Sequence, residues 1–193
     1  LQPAYAAHPA DAGSTVDLIM TVTATNACIG QTAQACYHIN VDHLPTATAG
    51  GSKSICQDAS YTLLNGEASQ SYGSVNWTHN GAGTITNPNS LSPTYNAAAG
   101  DVAGVVTLTM TVTSSNTCNQ AVAKAYYSIQ VDRLPQASLA GAASVCRGTS
   151  YTLPVGAATY SNGTIAWSTN GAGVLSNVNT LTPTYASQIE EEG

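Results

Sequence analysis

Residues 105–113 read VVTLTMTVT, and apolar and hydroxyl-bearing side chains alternate strictly along this stretch. Alternation with a period of two is typical of a strand with one buried face. The predicted buried face consists of Val106, Leu108, Met110 and Val112. Thr and Val at this density disfavour a helix because β-branched side chains are stiff at χ1. Short alternating segments separated by Asn-Gly pairs therefore predict an all-β fold of the sandwich class.

The chain repeats itself with a constant offset of 90 residues (91 − 1 and 181 − 91) and without insertion or deletion. Residues 1–5, LQPAY, recur as LSPTY at 91–95 and as LTPTY at 181–185. MTVT at 20–23 recurs at 110–113, and NGAG at 80–83 recurs at 170–173. A unit of this length is a small domain, because a solenoid repeat has only about 20–45 residues.

The phase of the repeat divides the chain into three parts. Residues 43–134 form a complete immunoglobulin-like repeat, residues 1–42 match the second half of a unit, and residues 135–193 match the first half. We therefore interpret the sequence as part of a longer chain. The join between units, Val131-Asp132-Arg133-Leu134-Pro135, contains no Gly/Ser-rich linker, and its proline fixes φ. This predicts sandwiches arranged end to end as a rod.

The composition argues against two classes of partner. The net charge is −6 with only four Lys plus Arg, so the chain lacks the basic patches that bind nucleic acid or an anionic membrane surface. No segment approaches the roughly 18 apolar residues that insertion into a membrane requires. The partners that we expect are neighbouring repeats of the same protein, in the same chain or in head-to-tail copies, with a surface polysaccharide as the alternative.

The cysteines fall into two classes under the 90-residue offset, Cys28 with Cys118 and Cys56 with Cys146, while Cys36 aligns with Tyr126. We predict a Cys56–Cys118 disulfide in the complete repeat, worth about 4 kcal/mol in the chain-entropy model. Two separate buried thiols are the alternative. Trp77 lies between these cysteines and is predicted to be the core tryptophan, with Trp167 as its equivalent. Cys36 is interpreted as a free thiol or a change specific to one copy.

The two half-units suggest a hypothesis of assembly between chains. Each would expose unpaired strand edges, so residues 136–193 of one chain could combine with residues 1–42 of the next. An inter-unit disulfide between Cys146 and Cys28 would then join the chains.

Several motifs together resemble a known group of repeats. They are the string Val75-Asn76-Trp77-Thr78, followed by Gly81, Gly83 and Thr84, the stretch Leu91-Ser92-Pro93-Thr94-Tyr95, the turn Ala99-Gly100-Asp101 and the alternation of residues 106–112. The chain resembles the PKD-like and immunoglobulin-like repeats of very large bacterial surface adhesins, of the gliding-motility type in Bacteroidota. The resemblance implies an extracellular stalk or filament displayed at the cell surface for adhesion, without catalytic residues. After Tyr185 the third copy departs from the pattern and reads ASQIEEEG.

No pattern of residues points to catalysis or to a cofactor. The histidines His8, His38, His43 and His79 do not recur at the offset, and their spacing does not fit zinc. The sequence contains neither a phosphate-binding loop nor a nucleophile elbow. We therefore predict that the protein is not an enzyme and binds no metal. The recurring Asp101 and Asp132 admit calcium at the junctions, but one carboxylate per junction favours local side-chain hydrogen bonds.

Two kinds of surface feature leave other functions open. Asn76 and Asn162 lie in glycosylation sequons at non-equivalent positions. Tyr72, Tyr126 and Tyr160 are predicted to be exposed and to offer rings for stacking on sugars. A glycan- or surface-binding module that acts through its loops is therefore the alternative to a structural stalk.

Overall fold

The computed structural model describes residues 2–188, and their regular structure is strand apart from two single-turn 3₁₀ helices, Pro9–Asp11 and Ala99–Asp101. The strands are β1 (Ser14–Thr23), β2 (Thr32–Val41), β3 (Thr46–Ala49), β4 (Ser52–Cys56), β5 (Ser60–Thr62), β6 (Ala68–Ser71), β7 (Gly73–His79), β8 (Thr84–Thr86), β9 (Thr94–Asn96), β10 (Val105–Ser114), β11 (Val122–Asp132), β12 (Gln136–Leu139), β13 (Ser150–Thr152), β14 (Ala158–Ser161), β15 (Val174–Ser176) and β16 (Thr184–Ala186). The predicted all-β class is confirmed. The chain divides into two compact units between Asp132 and Arg133.

The complete repeat is a two-layer sandwich. One layer is a four-stranded sheet in the order β4-β11-β10-β7, in which β4 runs parallel to β11 and the other pairs are antiparallel. The second layer consists of the pair β3-β6 and the three-stranded sheet β5-β9-β8. Side chains from both layers form a single core. The two central strands, β10 and β11, contribute most of its fully buried residues.

The alternation along β10 and β11 produces this core. Val106, Leu108, Met110 and Val112 lie on the inner face of β10 and are at most 3% exposed. Tyr127, Ile129 and Val131 are equally buried on β11. Trp77 on β7 is 3% exposed, and its indole Nε1 donates a hydrogen bond to the carbonyl of Ser90 at 2.9 Å. This bond satisfies the polar atom of a buried tryptophan.

The repeated NGAG motif has a packing role at the edge of the sandwich. A Cβ atom on Gly83 would lie 2.1 Å from the carbonyl oxygen of Asn96, so no side chain fits there. The amide of Gly83 donates to the Tyr95 hydroxyl at 3.0 Å, and the Asn80 side chain accepts from the amide of Thr107 at 2.7 Å. The motif therefore fastens the β7–β8 connection to both β9 and β10.

Strands β1 and β2 repeat the β10–β11 pair without a second layer. The partners Leu18 and Tyr37 in β1–β2 correspond to Leu108 and Tyr127 in β10–β11. The turns agree as well: Ala24 N donates to Gln31 O at 2.9 Å, as Ser114 N does to Ala121 O. The first half-unit is thus a preformed antiparallel ribbon in the same compact unit as the complete repeat.

Residues 133–188 repeat the other half of the sandwich. They contain the pair β12-β14 and the sheet β13-β16-β15, in the registers of β3-β6 and β5-β9-β8. Residues 142–146 and 163–169, equivalent to β4 and β7, form no strand. In the complete repeat those strands pair with β11 and β10, and residues 133–188 contain no equivalent of either. The backbone of these two segments therefore has no ladder to join.

Candidate functional site

The most distinctive surfaces of the chain are the open inner faces of its two half-units. We call the inner face of β1–β2 the open sheet; it includes Val16, Leu18, Met20 and Val22 on β1 and Tyr37, Ile39 and Val41 on β2. Met20 is 61% and Tyr37 71% exposed, whereas their equivalents Met110 and Tyr127 are at most 1% exposed. A sheet that leaves such side chains in solvent lacks its opposing layer.

The open sheet keeps the core residues of the complete repeat. Every inward-facing residue of β2, from Ala33 to Val41, is identical to its equivalent in β11, whereas every outward-facing residue from Thr32 to Asn40 differs. On β1 all four apolar inner residues are identical to those of β10. Because only the inner positions are retained, this face is matched to a layer of the same kind as the one that covers β10–β11.

The second open surface is a groove on the half-sandwich of residues 133–188, and we call it the open groove. It has a volume of about 500 Å³ and is lined mainly by apolar atoms of residues 135–139, 158–161 and 163–167. Trp167 lies at its edge and is only half-buried, although its Nε1 donates to Thr180 O at 2.8 Å in the same way as Trp77 donates to Ser90. Leu139 is 59% exposed. The groove is the place that β10 and β11 fill in the complete repeat.

A hydrogen-bonded joint links β2 to the complete repeat. The hydroxyl and amide of Thr117 donate to the Asp42 carboxylate at 2.5 and 3.1 Å, and these bonds lower the pKa of Asp42. Asn116 Nδ2 donates to the carbonyl of His43 at 2.7 Å, and the His43 ring stacks on Tyr72 with centroids 4.3 Å apart. These contacts hold the short segment between β2 and β3.

Sequence reasoning missed this joint, although a signal for it was present. Asn116 and Cys118 recur at the offset as Asn26 and Cys28. In both turns the asparagine side chain accepts from the cysteine amide at 3.0 Å. The repeated Asn-x-Cys spacing therefore marks a turn of fixed shape, which in the second copy presents Asn116 and Thr117 to the joint.

The predicted disulfides are contradicted by the geometry. Cys56 ends β4 and lies opposite Asp132, the last residue of β11, whereas Cys118 lies in the turn before β11 begins. At about 3.3 Å per residue, the length of β11 separates them by roughly 30 Å, far beyond the Cα–Cα limit of about 7 Å for a disulfide. All five cysteine thiols, Cys36 included, are free.

The same register excludes the proposed bridge between Cys28 and Cys146. These residues are the equivalents of Cys118 and Cys56, so a sandwich completed from the two half-units would keep them at opposite ends of one strand. The prediction failed because sequence spacing does not reveal at which end of a hairpin a residue lies.

Two carboxylate networks, one buried and one partly buried, stabilise the complete repeat. Asp101 is 5% exposed and accepts hydrogen bonds from Tyr95 Oη at 2.7 Å and from the amides of Ala82 and Ala98 at 2.6 and 2.9 Å. Burial alone would raise the pKa of Asp101, but these bonds hold it below its usual range. Burial and the bond to Asp101 raise the pKa of Tyr95 to about 12. Asp101 is thus a structural acceptor, in accordance with the hydrogen-bond interpretation.

The second network centres on Glu67, which sequence reasoning did not identify because its equivalent in the third copy is Ala157. Its carboxylate accepts from the hydroxyls of Tyr127 at 2.7 Å and Tyr61 at 2.9 Å and from the amide of Leu64 at 2.6 Å. Burial would raise the pKa of Glu67, but the hydrogen bonds outweigh it and the pKa is lowered. Burial raises the pKa of Tyr127.

The remaining candidate residues lie apart from any such cluster. Tyr72, Tyr126 and Tyr160 are all about half exposed, as predicted, and the Tyr72 ring also stacks on His43. The sequon residues Asn76 and Asn162 are exposed. Among residues 2–188 no group of three or more His, Cys, Asp or Glu side chains is placed to hold a metal ion. Within the same range, no helix is long and apolar enough to span a membrane.

Comparison with known proteins gives structural likenesses only. The chain matches no protein-family model and none of the curated protein sequences compared with it. Similar solved structures include titin domains I67–I69 (14% identity, TM-score 0.45, 93% of this chain and 66% of that chain). The PKD domain of human KIAA0319 gives 15% identity and a TM-score of 0.34 over 52% of this chain and 88% of that domain.

A third similar structure is a nucleoside hydrolase-related hypothetical protein from Saccharophagus degradans. The identity is 13% and the TM-score 0.37, over 49% of this chain, which spans only 26% of that protein. With TM-scores below 0.5, none of these likenesses carries a conclusion about activity, ligand or partner.

Proposed function

We propose that this chain is a non-catalytic structural segment of a cell-surface repeat protein, in which it acts as a stalk or filament shaft. The observation that carries the proposal is the joint between β2 and the complete repeat. A connection of a few residues with Asp42 bound to Thr117 and His43 bound to Asn116 restricts bending far more than a flexible linker would. A shaft requires such joints, whereas a binding module requires a shaped and polar site.

The hydrogen bonds of the carboxylates and the composition of the outer strand faces support the same role. The carboxylates with the most hydrogen bonds, Asp101 and Glu67, receive their bonds from core tyrosines and backbone amides, so they cross-link the sandwich itself. The outer strand faces carry mostly Thr, Ser and Asn, which keep a repetitive β-surface wet without charge. The resemblance to adhesin repeats supports a location outside the cell, at its surface.

The stiffness of the joint is tested by distance measurement between spin labels. One label replaces the outward-facing Thr21 on β1 and the other replaces Lys124 on β11, in a background in which all five cysteines are serine. We expect a narrow distance distribution in this parent and a broad one after Asp42→Ala with Asn116→Ala. Asp17→Asn on the outer face of β1 is the matched control and should leave the distribution narrow. A broad distribution in the parent would contradict the shaft role.

Location and ligand binding need separate tests. Antibody against the complete repeat should label intact cells of the source organism, and brief external proteolysis should remove the signal. Labelling only after permeabilisation would contradict the surface location. On a glycan array the chain should bind no better than a denatured sample. Saturable binding that Tyr126→Ala abolishes would replace the shaft role with the glycan-binding alternative.

A further inference from the structure

We propose that the open sheet of one copy of this chain fills the open groove of a second copy, and that Cys118 of the first then forms a disulfide with Cys146 of the second. The first copy is called the donor and the second the acceptor. Because each copy carries both surfaces, the association continues head to tail. This inference goes beyond the shaft role. The association requires no particular compartment, whereas the disulfide forms only in an oxidising one.

The open sheet, and the hydrogen bonds that frame the open groove, already have the arrangement that the completed sandwich requires. The ribbon β1–β2 has the register and turn hydrogen bonds of β10–β11. On the acceptor side, Trp167 N donates to Val178 O at 2.9 Å and Leu153 N to Pro183 O at 2.9 Å, matching Trp77 to Pro88 and Leu63 to Pro93. The ordering that remains is confined to residues 142–146 and 163–169, which form no strand in the structure and must join the sheet.

The complete repeat shows how the two surfaces fit. There, β10 and β11 lie between β7 and β4. By the 90-residue equivalence, β1 of the donor would pair with residues 163–169 of the acceptor, and β2 would pair with residues 142–146. These two segments are the ones left without a ladder in the structure. The register of Met110 opposite Trp77 places Met20 of the donor opposite Trp167 of the acceptor.

A layer with the sequence of residues 135–188 is the occupant that the inner residues of the open sheet fit, and a second copy of this chain supplies one. Inner residues such as Met20 and Tyr37 are identical to Met110 and Tyr127, while the outward residues of β2 all differ. An unrelated partner would not require this copy of the core. One contact is lost. In the complete repeat the Tyr127 hydroxyl donates to Glu67, but the equivalent of Glu67 in the acceptor is Ala157, so the hydroxyl of Tyr37 of the donor has no such acceptor. We therefore expect the intermolecular sandwich to be less stable than the complete repeat.

The joint determines which cysteines meet. In the complete repeat, the amide of Gln57, next to Cys56, donates to the carbonyl oxygen of Asp132 at 2.8 Å. At the joint, Cys118 Sγ lies 3.7 Å from the carbonyl oxygen of Asp42, the equivalent of Asp132. In the completed sandwich Cys146 of the acceptor takes the place of Cys56 and therefore lies next to Asp42 of the donor. Cys118 of the donor lies against the carbonyl oxygen of the same Asp42. This arrangement brings the two sulfur atoms within reach of a bond.

The bond requires a two-electron oxidant, and a small disulfide such as oxidised glutathione supplies it. The thiolate of Cys146, which is exposed, attacks the glutathione disulfide and releases one glutathione. The thiolate of Cys118 then attacks the mixed disulfide, forms the Cys118–Cys146 bond and releases the second glutathione. The two protons end on the two glutathione thiols.

Association is tested by light scattering on the whole chain under reducing conditions. We expect the wild type to form a concentration-dependent series of oligomers. Met20→Asp blocks the donor surface, and Ile165→Asp blocks the acceptor surface, so each variant alone should be monomeric. An equimolar mixture should form a dimer, because one intact surface remains on each variant. Thr21→Asp, on the opposite face of β1, is the matched control and should oligomerise like the wild type.

The mixture also separates failed association from failed folding, since a misfolded variant could not rescue the other. A wild type that stays monomeric at millimolar concentration would overturn the proposal. Oligomers that persist unchanged in both aspartate variants would overturn it too, because another surface would then be responsible.

The disulfide is tested with variants that retain two cysteines each. A chain with Cys28→Ser, Cys36→Ser and Cys56→Ser keeps Cys118 and Cys146, and oxidised glutathione should convert it into a covalent ladder on non-reducing gels. A chain with Cys36→Ser, Cys56→Ser and Cys118→Ser keeps Cys28 and Cys146 and should remain uncrosslinked. Peptide mapping should find the Cys118–Cys146 pair. The reverse pattern would overturn the assignment of the joint.

Discussion

The ribbons β1–β2 and β10–β11 have the same inner residues and the same register, yet one is exposed and the other forms the core of a sandwich. Val22 is 53% exposed, whereas Val112 is fully buried. The turn and the cross-strand pairs that define each ribbon lie within the ribbon itself. Burial depends on the second layer, which β10–β11 finds among β3, β6, β5, β9 and β8 and which β1–β2 lacks within its own unit.

The two tryptophans give the strongest test of this comparison. Trp77→Ala removes a fully packed ring and should cost about 3–5 kcal/mol, a large share of the stability of a typical domain. Trp167→Ala should cost much less because one side of its ring already faces solvent. Hydrogen exchange in dilute solution should show lost protection across β10 and β11 for the first variant only. Equal losses around both sites would mean that the half-sandwich is packed as well as the complete repeat.

Equivalent leucines test the ribbons themselves. Leu108→Ala should destabilise the complete repeat by about 2–5 kcal/mol, since it leaves a cavity in a close-packed core. Leu18→Ala, at the equivalent position of the open sheet, should change the stability much less at a concentration where the chain is monomeric. Urea unfolding followed by Trp77 fluorescence, in a Trp167→Phe background, measures both. A large loss from Leu18→Ala would show that the open sheet is covered within the monomer.

A tyrosine–aspartate hydrogen bond occurs in the first half-unit and in the complete repeat, so the effect of burial on a polar contact can be compared at equivalent positions. Tyr5 donates to Asp11 as Tyr95 does to Asp101. Asp101→Asn should cost about 1–3 kcal/mol, because it leaves buried donors without their charged acceptor. Asp11→Asn should have a smaller effect because solvent replaces the lost bond. Thermal unfolding of the two variants should give clearly different midpoints, and similar shifts would contradict the role of burial.

The smallest effect that we expect is the pH dependence that Glu67 contributes to the stability of the complete repeat. The pKa of Glu67 is lower in the folded chain than in the unfolded chain, so its ionised form stabilises the fold at neutral pH. This contribution is lost as the pH falls through the folded pKa. Glu67→Gln should therefore flatten the acid side of the stability profile, measured by urea unfolding at a series of pH values. Asp58→Asn, at an exposed turn, is the control and should leave the profile unchanged.

The sequence predicted the fold class and the inner face of β10 because a period of two reports directly which side chains share a face. It did not predict that Glu67 links Tyr61 to Tyr127, since these residues come from separate strands and Glu67 does not recur. The predicted Cys56–Cys118 bridge was wrong for a related reason. The parallel pairing of β4 with β11 places Cys56 at the far end of β11 from the turn that carries Cys118.

The 90-residue repeat, the strands and the identity of the core residues are determined by the sequence alone, because each is a local pattern that recurs along the chain. Which of those identical inner faces is buried is decided only by the tertiary structure. Burial requires a second layer, and a layer is assembled from segments distant in the chain, so it is present around residues 43–132 and missing from the two half-units. The pairing of the cysteines also depends on the tertiary structure. Cys56 and Cys118 have equivalents at a constant offset in the sequence, but the length of β11 separates them in space.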